Sequence, residues 1–407
     1  MHPRFIPFLL CAALLFPLGT PRRSPPATCT RSNGLVLPEG FCAIVVATKL
    51  SAVRQIAVAP NGDVYAALQD GGVVALRDTD ADGRADQKKS VFDGGGTGIA
   101  VHDGALWFAQ NERILRWPLS AGALGSDASP EVIVEGLPTG GHTAKTFTFL
   151  GGDTLIVNIG SATNSCQAAD RANRSPGKDP CPELEGRAGL WRFSTLKQHQ
   201  RQRDGARYAT GLRNAMALAV EPGTGKLYAA PHGRDQLAQN WGFTDQQGAE
   251  LPAEEFVQVE AGDDFGWPYC YYDWQQKLLV LAPEYGGNGK ALGRCSSRKD
   301  PLIGFPGHWA PMAVVFYSGT QFPAKYRGGA FIAFHGSWNR APLPQAGYRV
   351  DFVPFGAPGK PTGEFETFAT SDKGPTDLRP AGLAVGPDGS LYIADQSIGT
   401  IWRVMAN

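Results

Sequence analysis

Three short motifs combine residue types that can handle protons and developing charge. In GGHTAKTFTF, His142 precedes an apolar run, and an imidazole with an ordinary pKa near neutrality can act as a general base. In TGLRNAMALAV, Arg213 supplies a permanent positive charge and Asn214 an amide donor beside it. In PHGRDQL, Gly233 allows close backbone approach, so the carbonyls of Gly233 and Arg234 could face a cation. These groups suit a site that accepts a proton and stabilises negative charge.

Each of these residues also has a structural interpretation that the sequence leaves open. His142 follows a Gly-Gly turn and can be a hydrogen-bonded loop residue, and Arg213 can bridge two repeats. The aromatic run GDDFGWPYCYYDW, which includes Tyr271 and Tyr272, can be a loop core. The functional hypothesis therefore depends on the combination of motifs.

An acidic loop, DTDADGRAD, has the spacing of a calcium-binding turn. Carboxylates at alternate positions followed by Gly at the sixth position can wrap a hard cation. The expected ligands of this structural site are Asp78, Asp80, Asp82, the Arg84 carbonyl and Asp86. The twelfth position is Lys89 rather than the bidentate Glu of an EF-hand, and a solvated turn without metal is the alternative.

The elements that must position these motifs are short strands in a repeating unit. Each unit is an apolar strand, a Gly-containing turn and a second strand, followed by a third strand such as GVVALRD or GTIWRV. Clear copies are IAVAPNGDVYAAL, IAVHDGALWFAQ, LAVEPGTGKLYAA and LAVGPDGSLYIAD, and looser ones begin at Phe147 and Val314. Six such units predict an all-β fold, a six-bladed β-propeller with long disulfide-stapled loop insertions. The insertions fall at 161–184, 232–251 and 264–310.

Composition excludes several classes of protein. The 38 Lys+Arg and 38 Asp+Glu of this 407-residue chain cancel, so no basic surface for nucleic acid is expected. The apolar run Phe5 to Leu18, preceded by Arg4, is too short to span a bilayer comfortably and indicates a signal peptide. No clean cleavage motif follows, and an uncleaved anchor is the alternative. We expect a signal peptide over residues 1–27 and a single propeller domain over 28–407.

Cysteine usage agrees with export to an oxidising compartment, either periplasmic or secreted. Six cysteines follow the signal-like segment and fall into three neighbouring pairs. The pairs are Cys29 with Cys42, Cys166 with Cys181, and Cys270 with Cys295. Six cysteines allow 15 connectivities, of which we predict the neighbour pairing. Zinc is disfavoured because no C-x-x-C or Cys/His cluster occurs.

Taken in order, the motifs resemble those of the pyrroloquinoline quinone (PQQ)-dependent sugar dehydrogenases. The resemblance covers Leu37 to Val404 and is closest to the L-sorbosone dehydrogenase branch. That branch is indicated by HGRDQL, AEEFVQVEAGDDFGWPYCYYD, FPGHWAP and AFHGSWNRAP. The family's six-bladed propeller matches the repeat count obtained from the residues alone.

The resemblance implies roles for the motif residues. His142 would be the base that removes the hydroxyl proton while hydride moves to C5 of the quinone. Arg213 would polarise the C5 oxygen, and Asn214 would contact the cofactor. A Ca²⁺ ion held by the carbonyls of Gly233 and Arg234 would act as Lewis acid.

The sequence departs from the soluble glucose dehydrogenase pattern at three positions. Gly141 stands where an acidic residue precedes the catalytic His, Ser318 where a lysine is expected, and Ala381 where one of two arginines is expected. Arg379 matches the other arginine, so it is a candidate for binding the cofactor's carboxylates.

The HGSWNRAP loop offers two further cofactor-binding candidates. Arg340 can pair with a carboxylate, and Trp338 can stack on a flat tricycle. These departures argue against glucose as the substrate more than they argue against PQQ as the cofactor.

The expected activity is oxidation of an aldose or sugar aldehyde to lactone or acid, with electrons passing to an external acceptor, a quinone or a cytochrome. Two alternatives remain open from the residues. One is a Ca²⁺-dependent propeller lactonase, in which side-chain ligands hold a metal that activates water. The other is a non-catalytic propeller that binds a glycan or a protein.

Overall fold

The computed structural model describes Cys29 and residues 31–407, and the predicted signal peptide lies outside these residues. The described residues form six antiparallel sheets of four or five strands, and the innermost strands of successive sheets contact one another in a closed ring. This arrangement is a six-bladed β-propeller, which confirms the predicted fold class. Blades are numbered 1 to 6 along the chain, starting with the sheet that contains Val53–Val58.

The strands of each blade are given from the central channel outward. Blade 1 contains Val53–Val58, Val64–Leu68, Gly72–Arg77 and Gln87–Phe92. Blade 2 contains Gly96–His102, Ala105–Gln110, Ile114–Pro118 and Glu131–Val134. Blade 3 contains Phe147–Phe149, Thr154–Ile159, Gly189–Ser194 and Ala206–Thr210. Blade 4 contains Ala217–Val220, Leu227–Ala230, Glu254–Val259 and Ile303–Phe305. Blade 5 contains Pro311–Phe316, Ala330–Phe334, Arg349–Val353, Glu366–Ser371 and Leu35–Val36. Blade 6 contains Pro380–Val385, Leu391–Asp395, Thr400–Ala406 and Phe41–Ala47.

The three inner strands of each blade coincide with the strands predicted from the repeats. The fourth, outermost strands were not predicted. In blade 1 this strand is QKKSVF at Gln87–Phe92, which is half-exposed and lacks the apolar pattern that marks a buried strand. In blade 6 it is the buried run FCAIVVA at Phe41–Ala47, which lies far in sequence from the other strands of its blade.

The core consists of side chains packed between neighbouring blades. Along Val64–Leu68, Val64 and Ala66 pack toward blade 6, whereas Tyr65 and Ala67 pack toward blade 2. Since successive side chains of a strand point to opposite faces, an inner strand must be apolar on both faces. This requirement explains the continuous apolar runs of the repeats.

The ring is closed by a strand from the beginning of the described chain. Phe41–Ala47 pairs antiparallel with Thr400–Ala406 and becomes the outermost strand of blade 6. The Cys29–Cys42 disulfide fixes the segment that leads into this strand. The Cys166–Cys181 and Cys270–Cys295 disulfides also form, so the predicted neighbour pairing is confirmed.

Loops between the strands carry the few helices and two small hairpins of the described residues. The α-helices are Leu237–Trp241 and Asp245–Glu250. The 3₁₀ helices are Pro182–Glu185, Gln202–Asp204, Pro283–Tyr285, Gly293–Ser297 and Ala324–Tyr326. The hairpins pair Cys270–Asp273 with Leu278–Leu281, and Phe355–Ala357 with Lys360–Pro361. None of the helices in the described part of the chain has the length and apolarity needed to cross a bilayer.

Candidate functional site

The predicted catalytic residues lie at one end of the propeller channel. In an antiparallel blade, the start of the first strand and the end of the second lie at the same end. His142, Arg213 and Arg379 precede the first strands of blades 3, 4 and 6, and Gly233 follows the second strand of blade 4. We call this end the mouth, defined by Gln55, His142, Arg213, His232, His335 and Arg379.

A glutamine closes the channel beneath the mouth. Gln55 of blade 1 donates from Nε2 to the carbonyl of Met216 at 3.2 Å and to that of Met312 at 2.9 Å, so it reaches across to blades 4 and 5. Met216 and Met312 pack with Ala381 in a small apolar cluster. A cavity of about 340 Å³ lined by the inner strands lies in the channel. The inner end of the mouth is therefore formed by apolar side chains and by the Gln55 side-chain amide.

His142 is held in one tautomer by its neighbours. Its Nδ1 lies 3.1 Å from the Ser161 carbonyl and 3.0 Å from Ser161 Oγ. Ser161 Oγ–H already donates to the Thr163 carbonyl at 2.7 Å, so both Ser161 oxygens can act only as acceptors toward the ring. Nδ1 therefore carries the proton, and Nε2 keeps a lone pair with no partner among the described residues. That is the tautomer a general base requires.

The surroundings keep this imidazole neutral. Burial, together with the nearby Arg213 and His232, lowers the pKa of His142 to about 3. A cationic neighbour favours the neutral ring because protonation would place two positive charges together. His142 is thus ready to accept a proton at any ordinary pH, although a pKa this low makes it a weak base in the free protein.

Arg213 is buried, and most of its donors are used. Nε donates to the Asn164 carbonyl at 3.0 Å, and Nη1 to the Gly233 carbonyl at 2.7 Å. Nη2 donates to Asn164 Oδ1 and to Asp235 Oδ2, both at 3.1 Å. A guanidinium has five N–H groups, so within the described structure one N–H of Nη1 is left for a ligand. The bridging role considered from the sequence is thus present, and it leaves room for a ligand contact.

Asn164 and Asp235, which the sequence analysis did not single out, hold Arg213. The Asn164 side chain accepts from the Asp235 backbone N–H at 2.8 Å and donates to its carbonyl at 3.0 Å. Asp235 also accepts from Arg171 at 2.8 Å and from Asn339 at 2.8 Å. Burial raises the pKa of Asp235, but Arg213, followed by other cations, outweighs it and lowers the pKa to about 2. Asp235 is therefore a permanent negative charge that joins three loops.

The two carbonyls predicted to bind calcium adjoin Arg213. The Gly233 carbonyl accepts from Arg213, whereas no described N–H or O–H donates to the buried Arg234 carbonyl. A buried carbonyl without a donor suits a hard cation. The Gly233 N–H donates to the buried carboxylate of Glu254 at 3.0 Å, and a Cβ on Gly233 would lie 2.9 Å from Pro252 Cγ. The residues present thus fit a cation at this turn.

Asn214 and His142 both lie close to Gly160. A Cβ placed on Gly160 would lie 2.6 Å from His142 Cβ and 2.8 Å from Asn214 Oδ1. Asn214 Oδ1 accepts from Asn158 Nδ2 at 3.1 Å, which orients the amide. Glycine at 160 is therefore what allows the base and the amide to approach each other.

The three cofactor candidates differ in their freedom to bind a ligand. Arg340 donates to the Ala249, Gly307 and Pro344 carbonyls and to Glu250, at distances from 2.6 to 3.2 Å. Trp338 is 69% exposed, and within the described structure the Arg379 side chain makes only long hydrogen bonds of 3.3 and 3.5 Å. Arg340 braces the loop, whereas Trp338 and Arg379 have surfaces available for a ligand.

The acidic loop lies away from the mouth. It joins Gly72–Arg77 to Gln87–Phe92 at the opposite end of blade 1, where it shares a pocket with Asn61 and Asp388. Within the described residues, Asp78, Asp80 and Asp86 have ligand atoms within 4.8 Å of one another. The Asp82 carboxylate instead accepts from the Arg84 N–H at 2.7 Å. The loop therefore has no part in the site at the mouth.

Ser318 also lies at this opposite end, in a groove with Pro60 and Pro387. Its position, aligned from the sequence with a family lysine, is therefore remote from His142.

Comparison with known proteins finds relatives that are named as sugar dehydrogenases. A family model described as TrAA12-like matches residues 35–407. The chain is 28% identical over 171 residues to a pyrroloquinoline quinone-dependent pyranose dehydrogenase of Coprinopsis cinerea, covering 34% of this chain and 22% of that protein. The chain spans 48% or less of the length of the curated relatives it matches first.

Solved structures share the fold over nearly the whole chain. The calcium structure of a Trichoderma reesei protein of Carbohydrate-Active Enzymes Family AA12 has a TM-score of 0.78 and 19% identity, covering 94% of this chain and 100% of that one. The holo form of the pyranose dehydrogenase PQQ domain from Coprinopsis cinerea has a TM-score of 0.76 and 19% identity, covering 92% and 98%. Because the family model spans almost all of the described residues, the chain belongs to the TrAA12-like family.

Proposed function

We propose that this protein is a PQQ-dependent dehydrogenase that oxidises the C1 hydroxyl or hydrated aldehyde of a sugar. The observation that carries the proposal is the pairing of His142, whose Nε2 has no described partner, with a buried Arg213 that keeps one N–H for a ligand. The names of the relatives supply the cofactor class: one is a PQQ-dependent pyranose dehydrogenase, and a second neighbour is a PQQ-bound aldose sugar dehydrogenase.

The residues at the mouth divide the chemistry as follows. Bound PQQ would supply the two-electron acceptor, and the carbonyls of Gly233 and Arg234 would hold Ca²⁺. Nε2 of His142 takes the hydroxyl proton while hydride leaves the same carbon, so the substrate loses one proton and one hydride. The remaining N–H of Arg213 would stabilise the negative charge that develops on the acceptor. Asp235 and Asn164 hold that guanidinium in place.

A sorbosone-like aldehyde fits the same proposal. A hydrated aldehyde presents a hydroxyl and a hydrogen on one carbon, as C1 of an aldose does, so one base serves both substrates. The product is an acid from the aldehyde and a lactone from the aldose. The motifs shared with the sorbosone branch favour the aldehyde.

We also propose that the protein acts outside the cytoplasm. Three disulfides support this location because such bonds persist in oxidising compartments. The acceptor that reoxidises the cofactor is then a quinone or a cytochrome of that compartment.

Reconstitution tests the proposal directly. Protein freed of metal by a chelator is incubated with PQQ and Ca²⁺, and dye reduction is followed with a panel of aldoses and sugar aldehydes. We expect reduction that needs both PQQ and Ca²⁺. Lactone hydrolysis with Ca²⁺ alone would replace the proposal with the hydrolase alternative. If the protein shows neither activity, the non-catalytic binding propeller is the remaining alternative.

A further inference from the structure

His142 lies on a loop that makes few backbone hydrogen bonds. The loop, Pro138–Thr143, lies between the outermost strand of blade 2 and the inner strand of blade 3. Gly140 and Gly141 have φ angles of 81° and 59°, which are left-handed values that favour glycine. In the described structure, one backbone-to-backbone hydrogen bond ties the loop to another segment, from the His142 N–H to the Ser161 carbonyl at 3.0 Å. Side-chain contacts must therefore do most of the work of fixing this loop.

Two cationic side chains hold the loop through its carbonyl groups. Lys145 and Arg187 together donate to the carbonyls of four loop residues, Pro138, Thr139, Gly140 and Thr143. Lys145 Nζ lies 2.9 Å from the Pro138 oxygen and 2.5 Å from the Thr143 oxygen. Arg187 Nη1 lies 3.1 Å from the Gly140 oxygen. Hydrogen bonds from a charged donor are stronger than those between neutral groups, so both ends and the middle of the loop are fixed.

The backbone of Lys145 is held by the neighbouring blades. Its carbonyl accepts from the Gly98 N–H of blade 2 at 3.0 Å. The next residue, Thr146, donates from Oγ1 to the Ala215 carbonyl, beside the inner strand of blade 4, at 3.2 Å. The Lys145 side chain therefore reaches back to the loop from a rigid part of the ring.

Stability alone does not account for a lysine at this position. The Lys145 side chain is fully buried, and within the described residues no carboxylate oxygen lies within 4.0 Å of its Nζ. Burial, followed by the nearby Arg187, lowers the pKa of Lys145 to about 8. A buried ammonium group without a counter-ion costs folding free energy, which an apolar side chain of the same length avoids. The charge is present where its hydrogen bonds act on the loop of His142.

We propose that Lys145 and Arg187 form a clamp that positions His142. By holding the Pro138–Thr143 loop, the clamp keeps the Nδ1–H of the imidazole on Ser161 and leaves Nε2 open to the mouth. Neither cation needs to touch the substrate or the cofactor, so both are positioning residues. The effect of the clamp on turnover rests on the proposed function, whereas its effect on the ring does not.

The tautomer of His142 reports on the clamp without any turnover. The chain has seven histidines, so NMR of protein with isotope-labelled histidine gives a simple spectrum, in which the His142 signals are those lost in His142→Ala. In wild type without cofactor we expect His142 in the Nδ1–H form alone. In Lys145→Met, which keeps the length of the side chain but removes its donors, we expect a mixture of both tautomers and a Tm equal to or above that of wild type.

Turnover provides the second readout. In protein reconstituted with PQQ and Ca²⁺, Lys145→Met should lower kcat for dye reduction about tenfold or more, because the base is misplaced, while KM stays close to the wild-type value. Arg187→Met, at a half-exposed position, should change the spectrum and kcat in the same direction, and it decides the matter if Lys145→Met does not fold. Lys88→Met, at an exposed lysine in the outermost strand of blade 1, is the control and should leave both unchanged.

The outcomes separate the clamp from the proposed function. A wild-type spectrum and wild-type turnover in both Lys145→Met and Arg187→Met overturn the clamp and leave the dehydrogenase intact. A lower kcat with His142 still in the Nδ1–H form also overturns the clamp, because the loss then has another cause. Mixed tautomers in the two variants of a protein that oxidises no sugar leave the clamp standing and overturn the dehydrogenase.

Discussion

The hydrogen bonds of His142 to Ser161 fix the tautomer of the imidazole and so determine whether it can act as a base. Ser161 takes the Nδ1 proton because its own hydroxyl hydrogen is committed to Thr163, so Nε2 is left as an acceptor. The sequence placed a histidine before a strand, but it gave no sign of which nitrogen would be free. The nineteen-residue separation from Ser161 is closed only when both segments reach the mouth of blade 3.

Replacing His142 with alanine should lower dye-reduction turnover by about a hundredfold or more, because no group is left to accept the hydroxyl proton. PQQ affinity should change little. The measurement compares kcat and the dissociation constant of PQQ between the variant and wild type.

His199→Ala is the control, since His199 is an exposed histidine whose ring lies 3.6 Å from Glu135, away from the mouth. If His142→Ala keeps wild-type turnover, the proton goes elsewhere and His142 is a loop residue.

The third strand of blade 5 contains a carboxylate with no partner. Asp351 is fully buried opposite Thr367, and neither of its oxygens makes a well-formed hydrogen bond in the described structure. Burial raises the pKa of Asp351 to about 7, against the opposing effects of Arg349 and Thr367. In the unfolded chain the group ionises near pH 4. Stability is therefore lost as pH rises from about 4 through about 7.

Asp351→Asn should raise the free energy of unfolding at pH 8 by up to about 4 kcal/mol, because the amide needs no ionisation, and by less at pH 5. Urea denaturation at the two pH values measures the difference.

The comparison is Asp93→Asn, because the Asp93 carboxylate is exposed and contacts only the Ser90 hydroxyl in the described structure. A gain at pH 5 equal to or larger than that at pH 8 would contradict the assignment.

Polar side chains from the long loops hold the Arg213 guanidinium in place. Asn164, Asp235 and Asn339 come from three different loops. Asn164 and Asp235 both accept from the Arg213 guanidinium at 3.1 Å, and Asn339 donates to Asp235 at 2.8 Å. The sequence indicated that long loops lie on the later blades, but it did not indicate which polar side chains within them pair. That pairing depends on how blades 3, 4 and 5 pack.

Across the whole molecule, the ring depends on one strand contributed from the start of the described chain. Phe41–Ala47 covers the edge of Thr400–Ala406, which would otherwise present unpaired backbone groups. Cys29–Cys42 restricts the unfolded chain near this closing strand.

Replacing Cys29 and Cys42 together with serine should lower the unfolding free energy by about 3 kcal/mol, the cost expected for opening a loop of this size. Unfolding should stay cooperative because the strand pairing is retained. Calorimetry of the double variant against wild type measures both properties, and an unchanged Tm would show that the disulfide adds nothing to ring closure.

The sequence by itself determined the repeat, the neighbour pairing of cysteines, and the order of the motifs along the chain. These features are local: an apolar strand, a glycine turn or a nearby cysteine is visible within a few residues. The tertiary structure alone decided that Arg340 braces a loop, that the Asp78 loop lies at the far end, and that Asn164 and Asp235 hold Arg213. Those outcomes depend on contacts between residues far apart in sequence, which form only when the six blades close into a ring.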